Sequence, residues 1–135
     1  MTDAPSLYER VGGHSFFAAL VDGFYGGVAT DPILRAMYPE EDLAPAAERL
    51  CLFLEQYWGG PRTYSETRGH PRLRARHLLF VIDEAARDAW LQHMLASLNA
   101  LDCDPTSRAE LRAYLVTAAD FMINAPEPGV GRPLA

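Results

Sequence analysis

With 135 residues, 49% of them hydrophobic, the chain has the size of one domain and enough apolar side chain to bury a real core. A net charge of -6 and a pI near 5.1 argue against nucleic acid or an anionic membrane surface as the main partner, because both select basic faces. There is neither a secretory-type N-terminal stretch nor an uninterrupted apolar run of about 18 residues, so a cytoplasmic protein is expected.

Every element reads as helix, with no alternating stretch long enough for a strand. Residues 6–11 form a short helix ended by Gly12-Gly13. From Ser15 to about Ala29, Phe17, Leu20, Val21, Phe24, Tyr25 and Val28 recur at three- and four-residue intervals, the stripe of a buried helix. Asp31-Pro32 supplies an N-cap and a first-turn proline for a short turn that ends near Tyr38-Pro39. A third helix over residues 43–58 puts Leu43, Ala46, Leu50, Phe53, Leu54 and Tyr57 on one face and stops at Gly59-Gly60-Pro61.

A loop of about ten residues follows, then a single helical turn over residues 72–77 that needs something to hold it. Asp83 is placed to cap the next helix, with Trp90, Leu91, Met94, Leu95, Leu98 and Leu101 as its apolar stripe. Asp104-Pro105 opens the last helix, with Leu111, Tyr114, Leu115, Ala118, Phe121 and Met122 inward. One domain over residues 1–125 is expected, with the Pro- and Gly-rich residues 126–135 as a disordered tail. Cys51 and Cys103 lack a CxxC partner, and Cys51 reads as a small core or boundary residue. His14, His70 and His93 read as solvent-facing, and no zinc-ligand cluster, nucleophile triad or phosphate loop stands out.

The chemistry concentrates between Arg62 and His77, where five of the twelve basic residues lie and all twelve are arginine. A histidine that follows arginines and leads into Leu78-Leu79-Phe80 has a ring available to a buried ligand, with cations nearby for that ligand's acidic groups. Haem, a planar apolar ring with iron and two carboxylates, meets those demands.

A family resemblance then becomes specific. It is carried by Tyr8-Glu9-Arg10-Val11-Gly12-Gly13, Phe24-Tyr25, Tyr38-Pro39-Glu40, the unbroken block from Phe53 to Ser65, Arg68-Gly69-His70-Pro71-Arg72-Leu73-Arg74, Arg76-His77 and Arg87-Asp88-Ala89-Trp90-Leu91. In these residues the chain resembles the group II truncated haemoglobins. The resemblance implies an all-α, two-over-two helical sandwich enclosing haem b, with His77 as the iron ligand.

It also implies a distal pocket of Tyr25, Tyr38 and Trp90, all hydrogen-bond donors, beside Ala46 and Leu50. Ala46 falls where many globins carry a donor and can give none, and Leu50 narrows the site. Leu50, Phe53, Tyr57 and Trp90 are expected along the haem, and Arg62 and Arg76, with Tyr57, near its carboxylates. The chain departs from the family after the ligand histidine. Leu78-Leu79-Phe80 and Asp83-Glu84 stand where the family often has aromatic-Pro-Phe and Gly-Pro, which loosens a fixed backbone angle near the His77 ring.

Two functions follow as expectations: tight binding of dioxygen and other diatomic gases such as carbon monoxide, or oxidation of nitric oxide or reduction of peroxide at the same iron. The enzyme reading requires a separate reductase, because the chain has no flavin or nicotinamide domain. Compact globins commonly form homodimers, but no apolar stripe here is surplus to the core.

Overall fold

The computed structural model describes residues 5–38, 41–68 and 82–122, and the chain there is helical with no strand. The helices are α1 (Leu7–Arg10), α2 (His14–Val28), α3 (Pro32–Arg35), α4 (Ala44–Tyr57), α5 (Thr63–Arg68), α6 (Glu84–Asn99) and α7 (Pro105–Phe121). The expected turn over residues 72–77 and the tail over 126–135 lie outside the described residues.

Local chemistry sets the helix starts. Asp31, Asp83 and Asp104 cap α3, α6 and α7 by accepting from backbone N–H groups at 2.9–3.2 Å, which satisfies donors that a helix start leaves orphaned. Between α1 and α2, Gly12 and Gly13 have φ values of 104° and 73°, a region where a side chain is strained. That turn folds α1 back so that the Tyr8 ring stacks on Phe17, with centroids 5.9 Å apart. Tyr8 N–H also donates to the Trp58 carbonyl at 3.0 Å, tying α1 to the end of α4. A Cβ at Gly60 would fall 2.7 Å from the Tyr8 ring, so only glycine admits the ring at that point.

The loop expected after Pro61 is instead partly helical. In α5 a six-residue segment far below the length stable alone is held from outside. Gln56 Nε2 donates to Ser65 Oγ at 2.7 Å, Gln56 Oε1 accepts from Ser65 N–H at 2.9 Å, and buried Tyr64 meets Phe53 edge-on.

Helix α2 is the centre of the packing, with α4 on one side and α6 on the other, and α6 pairs with α7. This is the two-over-two helical sandwich. The α2 stripe is buried throughout, and Phe17, Leu20, Phe24 and Val28 are wholly enclosed in the core that also holds Met94 and Leu98 of α6. Burial of each such side chain is worth about 1.5–3 kcal/mol. On α7 the buried line is Ser107, Leu111, Leu115 and Ala119, at four-residue spacing. Phe121, expected to face inward, is 63% exposed. It lies about 200° around the helix from Ala119, so it leaves the core stripe.

Candidate functional site

Three elements converge on one end of the bundle. Tyr25 comes from the buried face of α2, Tyr38 from the segment after α3, and Trp90 from the first half of α6. The Tyr25 hydroxyl donates to the Tyr38 hydroxyl at 3.3 Å, and the rings meet edge-on with centroids 5.6 Å apart. Phe24 connects this pair to Trp90, standing 4.9 Å from the Tyr25 ring and 5.5 Å from the indole.

The position of Tyr38 follows from α3. Asp31 caps α3, and the Arg35 guanidinium donates to the carbonyls of Tyr38 and Glu41, each at 3.0 Å, which fixes the chain as it leaves the helix. The second Asp31 oxygen lies 2.7 Å from His93 Nε2. His93 sits three residues beyond Trp90, so one hydrogen-bonded contact joins the segment bearing Tyr38 to the helix bearing Trp90. That hydrogen bond is the largest cause holding the Asp31 carboxyl below its ordinary value of 3.8. The expectation that His93 faces solvent is therefore corrected: its side chain is 22% exposed and packed against Gly27 of α2. A partner 62 positions away in sequence left no local signal.

On α4, Ala46 is buried and Leu50 half-buried, both among the core residues. The sequence matches the bacterial-like globin family over residues 6–124. It is 40% identical over 120 residues to the group 2 truncated hemoglobin YjbI of Bacillus subtilis, with 89% of each chain covered. The chain belongs to the bacterial-like globins, among the group II truncated haemoglobins. Two solved structures give the same answer in three dimensions. A thermostable hemoglobin from Thermobifida fusca superposes with a TM-score of 0.89 at 57% identity, covering 91% of this chain and 100% of that one. The group II truncated hemoglobin of Bacillus anthracis superposes with a TM-score of 0.87 at 36% identity, covering 92% and 100%.

The cofactor of this globin is haem b with its iron, and the residues present suit it. Two phenols and one indole are neutral donors, while Ala46, Leu50 and Phe53 on one helix face give an apolar wall. Leu50 and Trp90, though apolar, stay only half-buried in the protein alone.

The remaining nominees separate. Phe53 is buried against Tyr64. Tyr57 joins a different aromatic group, with its ring 4.2 Å from Tyr114 and 5.2 Å from Trp58, and it remains 53% exposed. Burial, with Tyr57 close by, pushes the Tyr114 phenol up to about 12. Arg62 is exposed at the start of α5 and makes no ion pair among the described residues. His77 and Arg76 lie outside the described residues.

One group was missed by sequence reasoning. Buried Glu55 accepts from the Cys51 thiol at 2.8 Å and lies 2.9 Å from His14 Nδ1. The available signal was Cys51 and Glu55 at a four-residue spacing on one helix face.

Proposed function

We propose that this globin binds dioxygen reversibly and tightly at a haem iron held by His77, in a single domain over residues 1–125 of a cytoplasmic protein. The haem supplies an iron that takes diatomic gases, dioxygen foremost and carbon monoxide and nitric oxide with it. The chain's own residues decide how long the gas stays. The observation that carries the reading is the Tyr25–Tyr38 hydroxyl pair, set beside Trp90 through Phe24.

Hydroxyls in a chain polarise one another, so the phenol that donates outward is a stronger donor for having accepted from its neighbour. A ligand that draws negative charge onto its oxygens gains about 1.5–3 kcal/mol from each such donor. Two of them slow its loss by about two to four orders of magnitude. Ala46 supplies no donor, so polar control rests on Tyr25, Tyr38 and Trp90, and Leu50 restricts the space. Leu50 and Phe53 would line the haem, and Arg62, Arg76 and Tyr57 would meet its carboxylates.

The same hydrogen-bonding group favours a second reading, nitric oxide dioxygenation or peroxide reduction, since polarised oxygen suits both. That cycle draws electrons from a separate reductase. Sustained turnover with a reductase present supports the enzyme, and single turnover with every donor tried counts against it.

The spectrum of the purified protein tests the gas-binding reading. Haem bands should shift from ferric to reduced under argon, and again with oxygen and with carbon monoxide. They should lose their histidine-ligated character in His77→Ala. A protein that stays colourless after haem is supplied, or a His77→Ala spectrum identical to wild type, overturns it.

A further inference from the structure

We propose that His14, Cys51 and Glu55 form a second metal site, separate from the haem, for one divalent cation of zinc-like character. Cys51 and Glu55 stand one turn apart on the same face of α4, and His14 is the first residue of α2. One nitrogen, one sulfur and one carboxylate oxygen therefore converge from two helices, all within 4.8 Å of one another. The carboxylate is the hub, since the same Oε2 atom meets both Sγ and Nδ1.

Burial separates this trio from an ordinary surface cluster. Glu55 is 4% and Cys51 6% exposed, whereas the His14 side chain is 68% exposed. A carboxylate that far from water requires compensation, and the Cys51 thiol beside it brings no positive charge. A cation among the three atoms does. His14 and Cys51 also line a cavity of about 250 Å³ whose walls include Asp22 and Glu48. The cavity leaves room for a water as fourth ligand, and its two acids raise the local concentration of cations.

The donor set selects the metal. One imidazole, one thiolate and one carboxylate suit tetrahedral zinc, while magnesium and calcium favour oxygen alone. Zinc bonds of about 2.0–2.3 Å place neighbouring ligand atoms roughly 3.3–3.5 Å apart, wider by about half an ångström than the hydrogen bonds they replace. Exposed His14, on the first turn of its helix, can supply that movement. On binding, the Cys51 S–H bond breaks, a metal–sulfur bond forms, and the proton passes to solvent.

The test uses the full-length, haem-loaded protein, treated with chelator and then titrated with zinc alone in a calorimeter. X-ray absorption at the zinc edge, which the haem iron does not obscure, reads the ligands. One zinc per chain with one sulfur neighbour is expected, with at least tenfold weaker binding in His14→Ala and in Cys51→Ser and no change in Cys103→Ser. His14→Ala alters an exposed side chain, so it answers even if a Cys51 or Glu55 variant fails to fold. Sub-stoichiometric zinc, no sulfur neighbour, or wild-type affinity in His14→Ala overturns the site and leaves a hydrogen-bonded trio.

Discussion

The Tyr25 hydroxyl donates to the Tyr38 hydroxyl across 3.3 Å, joining the long α2 helix to the segment after α3 at one end of the bundle. The two donors act as a unit. Tyr38→Phe should therefore speed oxygen dissociation by about tenfold or more, the loss of one charge-assisted bond. Stopped-flow displacement of oxygen measures it, and Tyr25→Phe/Tyr38→Phe should show less than the product of the two single effects.

Asp31 both caps α3 and meets His93, so it should govern the pocket from outside it. Asp31→Ala is expected to lower the thermal midpoint and to speed oxygen release although Asp31 touches no ligand. The pH dependence has a definite sign. The Asp31 carboxyl is held below 3.8, so its contribution is present above that value and is lost as pH falls through the lower native one. Acid unfolding followed by circular dichroism should show a shallower loss in that range for Asp31→Asn than for wild type.

Gly23 of α2 lies against Ser97 of α6, whose hydroxyl donates to the Leu20 carbonyl at 2.7 Å. A Cβ at this position would press on the Ser97 hydroxyl and come within 3.0 Å of its Cβ. Replacing helical glycine by alanine gains about 1 kcal/mol, while overpacking costs about 1–3 kcal/mol and the buried Ser97 bond is also strained. Gly23→Ala should lose about 1–2 kcal/mol in urea unfolding. A gain in stability would mean that α2 and α6 are less tightly apposed.

Burial, then the hydrogen bond to Glu55, pushes the Cys51 thiol up to about 12. At pH 8.5 in the presence of chelator, half-buried Cys103 should alkylate first and Cys51 only on unfolding. Because the native value is raised above 9.0, this group favours the fold below pH 9 and loses that contribution as pH rises towards 12. Mass spectrometry of the modified peptides measures the order.

The helices that carry the pocket could be read from the sequence because cap and stripe agree. Asp31-Pro32, Asp83 and Asp104-Pro105 mark starts that the structure uses, and the α2 stripe from Phe17 to Val28 is buried as its spacing requires. Tyr25, Tyr38 and Trp90, singled out by the family pattern, lie in one chain of ring contacts, Tyr38 on Tyr25 and both Tyr25 and Trp90 on Phe24. Long-range partners had no such signal. Helix α5 depends on Gln56 and Tyr64, His93 on Asp31, and buried Glu55 on His14, and none of these pairings has a local propensity to show it. Phe121 misled for the opposite reason, an apolar residue at the end of a helix whose core stripe had already turned away.

The most direct test of the account is the oxygen dissociation rate of the reduced, haem-loaded protein, compared between wild type and Tyr38→Phe/Trp90→Leu. If the Tyr38 hydroxyl and the Trp90 indole hold the gas, the double variant releases oxygen about two to four orders of magnitude faster. An unchanged rate, with the haem spectrum intact, would contradict the proposal that these residues control the ligand.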